Sequence, residues 1–550
     1  MKLSVFATVR RPAAAAPAAM IEPLESRRLM AVAVGTGLQA TYFNNANFTG
    51  SNVTRLDGKV FFDFTKTPPP AAIAPSTYSV RWTGKIKPSY SEAYTFHAGS
   101  DDGIRVWVNH RLVIDDWTSH PWREVSGTVQ LQAAQKVDIQ VEYFNNTGAA
   151  GAQLWWSSPS QVRQIVPTAR LYPEAQNLKS KIDHAFSFAE QQLAVTRAAV
   201  GNNTSTYPSN TKGSGAAGTD GSWTTTDGAG WTSGFFAGTM WQAYYHNPKK
   251  AMRLNATAWT QTLADDTSLG DDMGFRTYTP WVNLSIPQTS DVMLAAANAK
   301  MAQWNATVGM FRSSGGTRHS TDPSGDFAVL IDHAMDSQLM YWAWKQTGNT
   351  LYRDRMTAHL TKLAQHYVRG DGSTAQWGYF NSTTGAFVGH DKKQAYSATS
   401  AWSRGQGWAI HAYSHAYKMT GNASFLSVAR KVSDYYISHM PADGVAYWDF
   451  TAPNATAYRD SSAAAIAASG MIELSRRETD APLKAKYFGA AEKILNSLTS
   501  ASYLAEGSTS QGILLHGAAY VPRKASLPDN SLIYGDYYFL EAMNKYMGTL

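Results

Sequence analysis

From Gly37 to Pro173 the apolar positions alternate: Leu38, Ala40 and Tyr42, then Tyr78, Val80 and Trp82, then Ile104, Val106 and Val108, then Val137, Ile139 and Val141. A two-residue period puts these side chains on one face of each strand, and Gly, Asn and Asp break the runs where turns are needed. The stretch predicts an all-β sandwich. Past residue 175 the period lengthens, with apolar residues three and four apart, as in Met340 to Trp344 and Leu360 to Tyr367. That spacing predicts amphipathic helices. Three segments share one outline of helix, polar turn and helix: Tyr341 to Tyr367 about Thr347-Gly348-Asn349, Trp408 to Tyr436 about Thr420-Gly421-Asn422, and Met471 to Leu498 about Glu478-Thr479-Asp480. Their irregular spacing favours a closed toroid of helical hairpins over an open solenoid, with loops forming a central cleft. The fold expected is multidomain, an N-terminal all-β sandwich over 37–173 and a C-terminal all-α (α/α) barrel over 178–550. The boundary falls near Tyr172 to Lys179.

Composition agrees with this division. The 550 residues are 44% hydrophobic and 16% charged, enough for a large core and too many for one ordinary domain. The 18 Trp and 28 Tyr exclude a disordered or fibrous chain and suit flat ligands such as sugar faces. Cysteine is absent, which removes disulfides, thiolate nucleophiles and Cys-based metal sites. The net charge is +7, but residues 1–36 hold five basic and two acidic residues, leaving only +4 for the body. No Lys/Arg stripe is present, so nucleic acid is excluded as a partner. No run of 18 apolar residues exists, so no transmembrane segment is expected. Residues 1–36 pass through Ala13 to Ala19 to Glu22-Pro23-Leu24-Glu25-Ser26-Arg27-Arg28-Leu29-Met30 and read as a disordered targeting tail. Arg10, Arg11, Pro12 and Pro17 interrupt their apolar stretch, unlike a standard signal peptide.

Several clusters could carry chemistry. Asp101 and Asp102 sit in Ser100-Asp101-Asp102-Gly103, either simple turn residues or two hard-oxygen ligands for calcium. Asp332 lies in the apolar run Val329-Leu330-Ile331-Asp332-His333-Ala334-Met335-Asp336, where it would share a helix face with Asp336. A carboxyl in such surroundings resists ionising, as a general acid near neutrality must; the alternative is a helix N-cap. Asp272, in Asp271-Asp272-Met273-Gly274-Phe275, is a second candidate or a turn residue. In Trp402-Ser403-Arg404-Gly405-Gln406-Gly407-Trp408, Arg404 could fork onto a substrate carboxylate beside the Trp408 face, or both could be buried core. His411 and His415 have the spacing of a metal pair, but no third ligand is placed, so a helix-surface pair is expected. No nucleophile elbow, phosphate-binding loop or dinucleotide fingerprint appears.

Two family resemblances gather these residues. Gly37-Leu38-Gln39-Ala40-Thr41-Tyr42-Phe43, Asp101-Asp102-Gly103, Asn109 to Trp117 and Val141-Glu142-Tyr143-Phe144 resemble the protective-antigen-type β-sandwich domain. That resemblance implies carbohydrate binding and, in some relatives, calcium on the Asp101-Asp102 pair. Trp231-Thr232-Ser233-Gly234-Phe235, Asp272-x-Gly-Phe, Ile331-Asp332-x-x-Met335, Trp402-x-Arg404-Gly405-Gln406-x-Trp408, Arg459-Asp460-Ser461-Ser462 and Ser531 to Tyr537 are similar to unsaturated glucuronyl hydrolases, glycoside hydrolase family 88. This second resemblance implies an (α/α)6 barrel in which Asp332 protonates C4 of a 4,5-unsaturated uronic acid and activates water for C5. The resulting hemiketal collapses and breaks the glycosidic bond, a route unlike the paired attack on an anomeric carbon. It further implies Asp272 as the second acid, Gln394 and Arg404 near the alkene and uronate, and Trp231 and Trp408 as aromatic walls. No cofactor is implied for catalysis. Three positions where many relatives carry histidine hold Asp271, Gln376 and Lys393 instead. The Glu22 to Met30 stretch resembles an N-terminal motif of large bacterial extracellular proteins, which implies a secreted, cell-surface or periplasmic enzyme. The expected partner is an acidic oligosaccharide released by lyases, with a polysaccharide on the β-sandwich. Two rivals are a carbohydrate-binding surface protein without activity and a hydrolase of saturated uronides.

Overall fold

The computed structural model describes residues 35–49, 52–173, 178–201, 204–213, 220–266, 272–313, 319–453, 458–521 and 529–550. The targeting tail, all but Gly35 and Thr36, lies outside the described residues, as does Asp271. The chain forms two compact units, dividing between Ala175 and Gln176.

The first unit is a sandwich of two antiparallel sheets. One runs β2 (Asn52–Asp57), β1 (Leu38–Phe43), β4 (Tyr78–Ile86), β9 (Val137–Asn145), β6 (Ile104–Val108) and β7 (Arg111–Asp116), with β12 (Leu171–Pro173) also on β4. The other runs β11 (Gln161–Ile165), β10 (Gly151–Ser158), β5 (Glu92–Asp101) and β8 (Arg123–Leu131), with β3 (Phe61–Asp63) on β10. The alternating residues Tyr78, Val80, Trp82, Ile104, Val106, Val108, Ile139 and Val141 all enter its core. The period-two pattern therefore became burial on one face, as strand geometry requires.

The second unit is the expected (α/α) barrel. Its helices are α1 (Leu178–Val200), α2 (Ser233–His246), α3 (Lys250–Gln261), the single turn α4 (Thr279–Trp281), α5 (Pro287–Ala302), α6 (Ser337–Thr347), α7 (Thr350–Tyr367), α8 (Ser403–Thr420), α9 (Ala423–His439), α10 (Ser461–Arg477), α11 (Ala481–Leu498) and α12 (Ile533–Met547). Contacts close an inner ring from α2 through the segment ending in α4, then α6, α8, α10 and α12, and back to α2. The inner helices α8, α10 and α12 are buried along most of their length. Hairpin turns fall where the sequence places them. Gly348 and Gly421 end α6 and α8 with φ of 70° and 68°, a left-handed conformation that a Cβ disfavours. Asn349 and Asn422 then cap α7 and α9 by accepting the backbone N–H of Leu351 and Ser424.

Short strands decorate the barrel: β13 (Tyr207–Thr211) with β14 (Trp223–Thr226), β15 (Trp304–Asn305) with β16 (Met310–Phe311), and β17 (Phe327–Leu330) with β18 (Trp377–Phe380) and β19 (Phe387–Asp391). The last three position the candidate site. β17 delivers the chain to a 3-10 helix over Ile331–Asp336, and β19 delivers it to Lys393 and Gln394.

Candidate active site

A cavity of about 420 Å³ in the barrel is lined by Asp272, Asp332, Trp231, Gln394, Lys393, Phe275, Leu330, Ala519, Tyr520, Leu532, Tyr534, Ser209 and Asn210. It brings together four of the six barrel residues singled out from the sequence: Asp332, Asp272, Trp231 and Gln394.

Asp332 lies in the first turn of the 3-10 helix, whose N-cap position is taken by Leu330. The residue keeps some exposure on the cavity side, yet its Oδ2 is shielded and lacks a hydrogen-bond partner among the described residues. Loss of hydration dominates and pushes its pKa up to about 6. The Arg404 charge, its own backbone N–H, the Trp408 indole and the Lys393 charge oppose that rise without cancelling it. Asp332 therefore holds its proton to a pH at which ordinary carboxyls have lost theirs, and can donate it or, once ionised, accept one.

Asp336 does not share this face. A 3-10 helix has three residues per turn, so positions four apart point about 120° from one another rather than the roughly 40° of an α-helix. Asp336 instead turns inward to the fully buried Lys300, with Nζ to Oδ2 at 2.8 Å, and accepts the backbone N–H of Gly274 at 2.8 Å. The expectation of a shared face took the wrong helix type.

Asp272 adopts φ 55°, a left-handed conformation that Asp tolerates better than most side chains. Its carbonyl accepts Phe275 N at 2.9 Å and Arg276 N at 3.0 Å, opening the tight turn that presents Phe275. Gly274 is required by contact: a Cβ there would meet the Met335 carbonyl oxygen at 2.7 Å. The turn of Asp272 is thus pressed against the helix of Asp332.

Gln376 organises the opposite wall. Its backbone carbonyl accepts Ile331 N at 3.0 Å. Its Oε1 accepts three successive amides, Lys393 at 2.9 Å, Gln394 at 2.8 Å and Ala395 at 2.9 Å. Its Nε2 donates to Gln394 Oε1 at 2.7 Å. One glutamine therefore links Asp332, one residue beyond Ile331, to Gln394.

Two residues take the buried alternative rather than the place the family resemblance implies. Arg404 is 1% exposed, and its Nη1 donates to Asp460 Oδ2 at 2.7 Å and Ala518 O at 2.8 Å, while Nη2 donates to Ala519 O at 2.9 Å. The fork expected on a substrate carboxylate is spent on protein, and Arg404 acts on the site through its charge and by fixing the Ala519 wall. Trp408 is 0% exposed, behind Phe275 at 4.9 Å between ring centres. Its indole N–H lies outside strict hydrogen-bond geometry but close enough to favour the Asp332 anion. The aromatic wall is made by Trp231, Phe275 and Tyr534, with Trp231 4.9 Å from Tyr534 and 5.8 Å from Phe275. Phe275 and Tyr534 fall within the quoted motifs, so order along the chain held the signal, but burial decided which ring faces the cavity.

His411 and His415 are not a surface pair. They lie on inner helix α8, and His411 is buried against Glu541 at 3.1 Å. Burial lowers the pKa of both, His415 to about 3.

In the β unit, Asp101 lines a cavity of about 310 Å³ with Phe62, Asp63, Trp122 and Gln153. Burial and the neighbouring Asp102 charge raise its pKa. Asp102 is buried, with Oδ1 accepting His120 N at 3.2 Å and Oδ2 accepting Asn146 N at 2.8 Å. Calcium takes six to eight oxygens. Asp101 and Asp102 would supply two of these, loop carbonyls and water being the other usual donors; among the described residues no group of three His, Cys, Asp or Glu assembles.

The PA14 domain model matches residues 35–168. Over 327 residues the chain is 31% identical to an unsaturated glucuronyl hydrolase of Formosa agariphila, covering 57% of this chain and 79% of that protein. An unsaturated chondroitin disaccharide hydrolase of Streptococcus pyogenes is 30% identical over 332 residues, 58% of this chain and 82% of its own length. Among solved structures, an unsaturated glucuronyl hydrolase specific for heparin aligns with a TM-score of 0.60 at 30% identity, covering 68% of this chain and 97% of that one.

Proposed function

The chain belongs to the unsaturated glucuronyl hydrolases, and from that premise we propose that it hydrates the C4=C5 bond of the unsaturated uronic acid at the non-reducing end of lyase-generated oligosaccharides. It is a glycoside hydrolase of unsaturated uronides, and its substrate is an acidic oligosaccharide. In this reading Asp332 gives its proton to C4 and then draws a proton from the water that adds at C5. The hemiketal formed at C5 opens and expels the remaining sugar. Asp272 grips ring hydroxyls from the facing turn, Gln394 offers its amide beside the reacting carbons, and Trp231 with Tyr534 supports the ring face.

The observation that supports this reading is a carboxyl with its pKa raised to about 6 in an aromatic cavity that also holds a second carboxyl, Asp272. The alkene absorbs in the near ultraviolet, so steady loss of that absorbance on adding enzyme to lyase digests tests it. A saturated uronide hydrolase would leave the band intact, and a binding protein would turn over neither. Asp332→Asn should abolish the loss while leaving the fold intact; an unchanged rate would remove Asp332 from its role.

For the β unit the same reading adds a polysaccharide contact at the cavity of Asp101, which would keep the enzyme on its polymer. The PA14 match supports it, and retention on insoluble polysaccharide by wild type but not by Trp122→Ala is the test. The calcium expectation at Asp101 and Asp102 has its own readout: a rise in the unit's melting temperature carries it, and no shift removes it. We also infer that the enzyme works outside the cytoplasm, because the Glu22 to Met30 stretch resembles an export motif. Cell fractionation with a C-terminal tag checks this. No helix among the described residues is long and apolar enough to cross a membrane.

A further inference from the structure

The unsaturated uronic acid carries its carboxylate on C5, one of the two carbons that react. Wherever Asp332 reaches C4 and C5, that carboxylate sits beside it, and two like charges in a confined cavity need a cation between or behind them. The residue type suited to that task, Arg404, is sealed beneath the surface with its donors committed to Asp460, Ala518 and Ala519. Among the described residues that line the cavity, one carries a positive charge: Lys393. Its side chain is exposed, and no carboxylate of the described residues pairs with it. The ammonium lies over the Trp377 ring at 5.2 Å, an arrangement that keeps a flexible chain near the cavity without consuming its charge. Its backbone N–H is pinned by Gln376 at 2.9 Å, and it directly precedes Gln394. Its charge is felt at Asp332, so the acid and the ammonium share one electrostatic space.

We propose that Lys393 is the specificity-determining residue that binds the C5 carboxylate of the unsaturated uronic acid. The assignment rests on the hydratase reading given above and deepens it. Lys393 screens the substrate carboxylate from Asp332 once the acid has ionised, and selects a free uronate over its ester.

The probes are an unsaturated uronyl disaccharide and its methyl ester, with binding measured by calorimetry on the wild-type, Lys393→Met and Lys393→Arg cavities, each carrying Asp332→Asn so that the probe is not consumed. Wild type should bind the free acid at least tenfold more tightly than the ester. Lys393→Met should bind both equally, with ester affinity unchanged, and Lys393→Arg should restore most of the preference. Because the side chain is exposed, melting temperatures of all three should coincide. A Lys393→Met variant that keeps the wild-type ratio overturns the proposal, as does a wild type that does not distinguish acid from ester. Turnover is read separately, on chains that keep Asp332. A wild type that binds with the expected ratio but never consumes the alkene sinks the hydratase reading and leaves Lys393 as the carboxylate site. Failure to bind either probe removes both.

Discussion

The Asp336 carboxylate accepts the Gly274 backbone N–H at 2.8 Å, and so ties the turn of Asp272 to the helix of Asp332. The same carboxylate is paired with Lys300 in the core. Asp336 thus sits behind both cavity carboxyls without entering the cavity, as a positioning residue. Removing it alone, as in Asp336→Ala, leaves a buried ammonium unpaired and should cost about 3–5 kcal/mol. Replacing both partners, Asp336→Leu with Lys300→Met, should recover part of that loss, since apolar residues of similar volume commonly match a buried ion pair, and leave the cost of the unpaired Gly274 N–H, about 1–3 kcal/mol. The kcat of that double variant should still fall by roughly 100-fold, because the Asp272 turn has lost its tether. A double variant with wild-type kcat would show that Asp336 serves stability alone.

The raised pKa of Asp332 has a consequence for stability. Its folded value is about 6 against 3.8 when unfolded, so the folded state binds more protons between those values. Stability contributed by this group is present at low pH and is lost as pH rises through about 6, where charging a poorly hydrated carboxyl becomes unavoidable. Asp332→Asn escapes that loss. Allowing for the side of the carboxyl open to the cavity, the variant should gain about 1–2 kcal/mol at pH 7.5 and nothing below pH 4. Urea denaturation at the two pH values measures it.

The same titration sets the rate profile. If Asp332 must arrive protonated, kcat/KM for an unsaturated disaccharide should decline above pH of about 6, tenfold per unit. Withdrawing the Arg404 charge, which pulls the pKa down, should move that limb upward. Arg404→Gln keeps some contact to the carbonyls and is the variant to try, with circular dichroism to confirm folding. A flat profile from pH 5 to 8 would mean that another group donates the proton.

Much of this arrangement could be read in the chain itself, and the remainder shows what a one-dimensional pattern omits. Alternation at Tyr78, Val80 and Trp82 and the caps at Gly348-Asn349 and Gly421-Asn422 are local rules obeyed locally. Asp332, Asp272, Trp231 and Gln394 were found by motif and meet in one cavity. Arg404 and Trp408 carry the same motif signal but lie beneath the surface, because α8 is packed on all sides and its residues must satisfy partners from α10 and from the loop at Ala518. Sequence gives the neighbourhood of such residues; three-dimensional packing decides whether the substrate can reach them. The 3-10 winding over Ile331–Asp336 that separates Asp336 from Asp332 leaves no mark on the apolar spacing, which an α-helix would fit as well. Histidine-to-glutamine at position 376 likewise reads as a loss from sequence, whereas the structure gives the glutamine five hydrogen bonds across the site.

Those bonds lead to a sharper test of how Gln394 is aimed. In Gln376→Glu, one carboxylate oxygen can still accept the amides of Lys393, Gln394 and Ala395, so the loop should hold and the melting temperature change by only a few degrees. The other oxygen now faces Gln394 Oε1, where Nε2 had donated at 2.7 Å. Two acceptors cannot remain in contact, so the Gln394 amide must turn and present its oxygen to the cavity in place of its NH2 group. The donor offered to substrate becomes an acceptor, and KM for the unsaturated disaccharide should rise about tenfold, the scale of one lost hydrogen bond to a charged group. Gln394→Ala should produce a similar rise by itself. If the two act by one route, the double variant should be no worse than either single one. Fully additive effects would mean that Gln376 influences the site by a path other than the orientation of Gln394, for instance through the added charge near Asp332.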